Sequence, residues 1–295
     1  MSKPLDMVVQ RLRSDGSLKA WSLIITFFGD SIVPRGGNVS AGTVQTVLDK
    51  MGIGAGAVRT AFSRLASDGW VERQKSGRLS YYQLTEEGVS PFAKASLRIY
   101  SPVQVLSTDQ SHWALCLAED KNALQDLAIA DAVMLPNRSI LLVESNSESL
   151  SMLRKRGMLC VVGQCDEIPE WVVDYLCPSD WAQQLKVLQS TFDSHAAKPP
   201  KDPLVALVVR TLLVHQWRRL LLRYPPLPAQ LKGDSLVLEN QCREFIGQLY
   251  HQLSAPAELW LSEHGSAING SLPAARLSRS YRFTERYTEV ETHKS

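Results

Sequence analysis

Between Ser40 and Leu84 the apolar positions change period twice. Val44, Val47, Leu48 and Met51 recur at helical spacing, and Ala57, Val58, Ala61, Phe62 and Leu65 do so again after a glycine-containing turn. Beyond Gly69, Trp70–Gln74 and Leu79–Leu84 read as strands joined by Lys75-Ser76-Gly77-Arg78. Helix, turn, helix and hairpin in this order predict a winged helix-turn-helix, a module that lays its second helix in the DNA major groove. Arg59, Thr60, Ser63 and Arg64 fall on or near the outward side of that helix, and Lys75 and Arg78 place two positive charges at the hairpin tip. These six are the candidate DNA contacts. The same pattern also suits a winged domain that binds another protein.

Upstream, residues 1–17 read as a polar, loosely held arm with Arg11 and Arg13. The dense apolar run from Leu18 predicts a core helix ended by Gly29-Asp30, with Trp21, Ile24, Ile25 and Phe28 turned inward. Arg35-Gly36-Gly37 reads as a tight turn beside a third wing strand. Thr85 caps a helix running to about Ile99, with Glu86 and Glu87 suited to its first turn.

The middle segment interleaves short strands (His112–Leu117, Ser139–Val143, Met158–Val162, and Trp171–Tyr175 as a further one) with helices over Asn122–Met134 and Glu148–Arg156. That alternation predicts a ferredoxin-like α/β sandwich. After a connector at Asp193–Pro203, Leu204–Leu222 is the most apolar stretch. It carries Arg210, His215, Arg218 and Arg219, so it reads as a buried helix rather than a membrane span. His215, Arg218, Arg219 and Arg223 recur three or four residues apart, either as an anion-binding patch or as arginines packed over an interface. Ser235–Leu253 predicts another helix. The expected fold is therefore α+β and multidomain: a winged head (1–100), a ferredoxin-like middle (101–192) with a dimerising role, a helical C-terminal domain (193–275) and a mobile polar tail (276–295).

Composition narrows the chemistry. The 295 residues hold five cysteines without a CxxC pair and six scattered histidines, so neither a disulfide framework nor a zinc site is expected. No catalytic spacing, cofactor motif, secretory leader or apolar run of membrane length occurs, and a non-enzymatic cytoplasmic protein is expected. The net charge of +2 conceals a partition. Residues 1–100 hold 13 Lys and Arg against 8 Asp and Glu, 101–180 hold 5 against 12, and 181–295 hold 14 against 10. A basic head fits a polyanionic partner, while an acidic middle does not fit a DNA channel along the whole chain.

Val33-Pro34-Arg35-Gly36-Gly37, Val58-Arg59-Thr60-Ala61, Ser63-Arg64-Leu65, Asp68-Gly69-Trp70 and Gly77-Arg78-Leu79-Ser80-Tyr81-Tyr82 together resemble the PaaX family of bacterial repressors of phenylacetic acid catabolism. The likeness returns at Trp217-Arg218-Arg219, Tyr224-Pro225, Leu227-Pro228 and Leu249-Tyr250. The chain departs from the family where Tyr224 precedes Pro225 in place of an aspartate. The resemblance implies a winged head, a middle domain similar to the Cas2 fold and a helical C-terminal domain. It also implies a homodimer on a palindromic double-stranded operator, released by an aromatic acyl-CoA such as phenylacetyl-CoA. It puts Arg59, Arg64 and Arg78 near DNA, and Arg218 and Arg219 in the C-terminal domain, where His215, Arg218, Arg219 and Arg223 are the candidate effector-binding residues. A Cas2-like middle domain also raises a metal-dependent nuclease as the alternative, with Asp109 or Glu119 as its loosely placed acids.

Overall fold

The computed structural model describes residues 3–86, 95–102, 113–120, 132–135, 137–142, 147–163, 169–176, 180–223, 234–284 and 286–287. The chain forms two compact units, one of Met1–Gln104, Leu185–Leu221 and Asn240–Ser295, the other of Val105–Gln184 and Leu222–Glu239. The head and the C-terminal helices, which the sequence divides into separate domains, thus belong to one unit.

In that unit, α1 (Lys3–Ser14) replaces the expected loose arm. Its Leu5, Val8, Val9 and Leu12 are buried at the three- and four-residue intervals of one helix face. Helix α2 (Ala20–Phe27) does not end at Gly29-Asp30. It passes into a π turn (Phe28–Ile32) and a 3-10 turn (Val33–Arg35), and this irregular path turns the Asp30 carboxylate into the core. Ile24, Ile25 and Phe28 are buried as expected, whereas Trp21 stays 38% exposed.

The head continues through β1 (Asn38–Ser40), α3 (Ala41–Asp49), α4 (Ala55–Ser67), β2 (Val71–Ser76) and β3 (Leu79–Leu84). Its strands form an antiparallel sheet in the order β1-β3-β2. Gly36 and Gly37 have φ of 91° and 81°, the left-handed conformation that the turn into β1 requires. Residues 95–100 are helical, and the rest of the helix expected from Thr85 lies outside the described residues beyond 86.

The second unit contains β4 (Trp113–Leu117), β5 (Ala132–Leu135), β6 (Ser139–Leu142), α5 (Ser147–Lys155), β7 (Leu159–Gly163) and α6 (Glu170–Leu176). Its sheet is antiparallel in the order β5-β6-β4-β7. Ala114, Cys116, Ile140 and Leu142 line the face packed on Leu150 and Leu153 of α5. Two expectations are corrected. Residues 132–134, assigned to a helix, pair with β6 as a strand, the remainder of that helix lying outside the described residues. Glu170–Leu176 is helical rather than extended: its acid sits in the first turn, and so short an apolar run fits either period.

Helices α7 (Trp181–Ala197), α8 (Pro203–Leu221) and α9 (Asp234–His264) follow. α8 is buried nearly all round, as its apolar sequence predicts. The short pair β8 (Ser266–Ala267) and β9 (Gly270–Ser271) comes next, then a 3-10 helix at Leu277–Tyr281. Of the segment expected as a mobile tail (276–295), the described part up to Tyr287 is anchored in the first unit, for Arg279, Arg282 and Tyr287 are all buried, and residues 288–295 lie outside the described residues. Among the described residues no helix is long and apolar enough to cross a membrane.

Candidate nucleic-acid interface

Ser40 starts α3 by accepting the Thr43 amide at 3.1 Å, so the first helix of the motif carries its own cap. The turn after it bends at Gly52, with φ of 73°. Arg13 of α1 supports this turn from behind, donating to the carbonyl oxygens of Met51 at 3.4 Å and Gly52 at 3.2 Å. α4 is fixed by Val58, Ala61, Phe62 and Leu65 on its inner face. The Phe62 ring stacks on Tyr82 of the wing, centroids 3.8 Å apart at 10°, and meets Phe28 edge-on at 6.5 Å. Helix and wing are thereby joined into one surface.

The six residues nominated from sequence are all exposed. Arg59, Thr60, Ser63 and Arg64 share the outer part of α4. The Thr60 hydroxyl donates back to the Gly56 carbonyl at 3.0 Å, which leaves its methyl group and oxygen lone pair outward. Arg64 is held sideways, 3.5 Å from the Asp68 carboxylate and 5.6 Å from the Trp21 ring centroid. Arg59 has no ion pair among the described residues. Lys75 and Arg78 lie at the hairpin tip, where Gly77 takes a φ of 58°.

Arg73 is exposed on the same wing, outside the six sequence candidates. It is opposite Tyr82 in the β2–β3 register, and its guanidinium donates to Ser80 Oγ at 2.6 and 3.2 Å. The signal was the alternation of Val71, Arg73 and Lys75, which puts all three on the sheet face carrying Tyr82.

The three C-terminal nominees of the first unit, His215, Arg218 and Arg219, do not share one exposed side. His215 is buried, with Nε2 donating to the Ser17 carbonyl at 3.0 Å and Nδ1 2.9 Å from the Thr26 hydroxyl. Burial brings its pKa down to about 3, so it is neutral at ordinary pH. Arg218 turns toward α2 and donates to Ser22 through its carbonyl (3.3 Å) and hydroxyl (3.0 Å). Arg219 is exposed, and Arg223 falls in the other unit. Their shared helical interval is broken by burial: two of the four are committed to packing α8 against α2.

A buried charge network ties the head to the C-terminal segments. Asp30 Oδ1 accepts from Tyr100 (3.0 Å), Tyr250 (3.0 Å) and Arg282 (2.9 Å), while Oδ2 lies 3.0 Å from Arg210 Nε. Burial alone would raise the Asp30 pKa, but Arg210 and Arg282 hold it down to about 2. Glu258 serves Arg35 (2.6 Å), Arg210 (2.8 Å) and Arg279 (2.9 Å). Backbone bonds run alongside, from Arg276 N to Pro34 O at 2.8 Å and from Phe283 N to Tyr100 O at 2.6 Å. Ser266 closes the other side by donating its hydroxyl to Ser40 at 2.8 Å.

Among the described residues no group of three or more His, Cys, Asp or Glu is placed to hold a metal ion. Of the two acids considered for a nuclease, Glu119 is exposed beyond β4 and Asp109 lies outside the described residues.

A helix-turn-helix whose second helix stacks on a basic antiparallel hairpin has the arrangement of a winged helix-turn-helix. Residues 19–88 match the family model described as PaaX-like protein, and residues 177–263 match that of the PaaX-like protein C-terminal domain. The chain belongs to the PaaX family. It is 27% identical over 301 residues to the transcriptional repressor PaaX of Escherichia coli strain K12, covering 93% of this chain and 92% of that one. Among solved structures it is similar to the uncharacterized protein Rv0674 from Mycobacterium tuberculosis, at a TM-score of 0.35 and 14% identity over 73% of this chain and 91% of that one.

Proposed function

We propose that this chain is a DNA-binding transcriptional repressor of aromatic-acid catabolism and not an enzyme. The observation that carries the reading is its near full-length relationship to a transcriptional repressor, joined to a head whose outward residues are basic and hydrogen-bonding. In this reading Arg59, Thr60 and Ser63 reach base edges with Arg64 beside them. Lys75, Arg78 and Arg73 meet the phosphate backbone or minor groove. The protein works in the cytoplasm, where its operator lies.

A single head buries too little surface for tight specific binding, so two copies address the half-sites of a palindrome. The middle unit supports that pairing. Its strand order suits a ferredoxin-like fold, and Leu115, Leu117, Leu159 and Val161 leave one sheet face apolar and exposed. Antiparallel sheets ordinarily turn polar residues to solvent, so a second copy with the same uncharged face is the occupant we assign. Release follows binding of an aromatic acyl-CoA, phenylacetyl-CoA being the first to try.

The test is a gel shift of the protein's own upstream region at stated salt, repeated with a panel of acyl-CoAs and free aromatic acids. A specific shift at nanomolar to low micromolar protein, abolished by one acyl-CoA, is expected. No specific shift overturns the repressor, and a shift that no acyl-CoA alters overturns the effector.

A further inference from the structure

Strands β4 and β7 run antiparallel, and Cys116 and Cys160 are direct partners in their register. Both belong to the face that packs on α5: Cys116 is fully buried in that core and Cys160 is half-buried at its edge. Neither is disulfide-bonded, and the Cys160 thiol donates to the Met158 carbonyl at 3.8 Å. Directly opposed residues of an antiparallel pair hold their Cβ atoms about 4.5–5.5 Å apart. A disulfide needs roughly 3.5–4.5 Å. Bridging this pair therefore takes a small inward shift of the edge strand β7 and gives a strained bond, the kind that is readily reduced again.

We propose that Cys116 and Cys160 form a reversible dithiol–disulfide site in the middle unit, oxidised by hydrogen peroxide and reduced by thiols. Cys160 reacts first because it is the more accessible. Its sulfur attacks peroxide, an S–O bond forms as O–O breaks, and one water leaves with the thiol proton. The Cys116 thiol then attacks the Cys160 sulfenic acid. S–S forms, S–O breaks, and the departing hydroxyl takes the Cys116 proton as a second water. Two electrons pass from the thiols to peroxide. Burial pushes the Cys116 pKa up to about 12, which keeps it a thiol and leaves the first reaction with peroxide to Cys160; Cys116 gives up its proton only as the Cys160 hydroxyl departs.

The experiment uses the full chain, treated with hydrogen peroxide, alkylated and digested for peptide mapping. The expected result is a Cys116–Cys160 link with the loss of two hydrogens per chain, reversed by dithiothreitol. Cys116→Ser should leave Cys160 as a sulfenic acid that a dione probe captures, while Cys242→Ser should leave the link intact. A link mapped to another pair of cysteines overturns the assignment, as does sulfinic or sulfonic acid at Cys160 without any link. The wild-type map decides the matter even if a serine variant fails to fold.

Discussion

At Asp30 one carboxylate is shared by two tyrosines and two arginines, all away from water. Removing one partner strands charge in the core. Arg282→Ala is therefore expected to cost about 3–5 kcal/mol, read as a lower urea midpoint at unchanged slope. His215 contributes to the response to acid, beside His195 and His251, whose pKa values burial also lowers. Its pKa is about 3 in the folded chain against the ordinary 6.5, so the unfolded chain takes up the proton first. Its stabilising contribution is complete above pH 6.5 and falls by up to about 1.4 kcal/mol per pH unit as pH drops towards 3. His215→Gln should flatten that part of a stability–pH profile. On the proposed DNA face, where Arg59 is taken to grip a guanine, Arg59→Ala should lower affinity for the operator by about 1–3 kcal/mol and relax sequence preference. Lys75→Ala should instead weaken all sequences alike and reduce the slope of log affinity against log salt by about 1. Salt titration of the gel shift with specific and random DNA separates the two.

Among elements, α3, α4 and the wing were legible because each has a clean period and a glycine at its boundary. The six exposed candidates followed from the same periods. α1 was legible too, at Leu5, Val8, Val9 and Leu12, but the charged and polar residues between them mask four apolar positions at helical intervals. The reversal at Glu170–Leu176 marks a real ambiguity, since seven residues support either period. Least legible was the segment after 276. Arg279 and Arg282 look like solvated charges in a polar run, and only distant partners, Glu258 for Arg279 and Asp30, 252 positions away, for Arg282, make them core residues. Ending the chain after Arg276 should accordingly abolish the cooperative unfolding transition of the first unit, measured by circular dichroism.

For the molecule as a whole, the charge partition and the proposed pairing make one prediction. Val161→Glu puts a like charge on each copy of the uncharged sheet face, so sedimentation should show monomers, with operator affinity falling while the head stays folded. The four C-terminal nominees show why ligand contacts are harder to read than folds: a helical interval fixes which residues share a side, but burial decides whether that side is available.

The network at Asp30 also bears on how the protein is made. A ribosome releases the head well before Arg282, which lies 252 positions after Asp30, yet the head's acid has its full set of partners only when both are present. Nascent or prematurely terminated chains should thus carry no finished reader. A cell making fragments of this repressor is spared operators blocked by heads that have lost the rest of the chain.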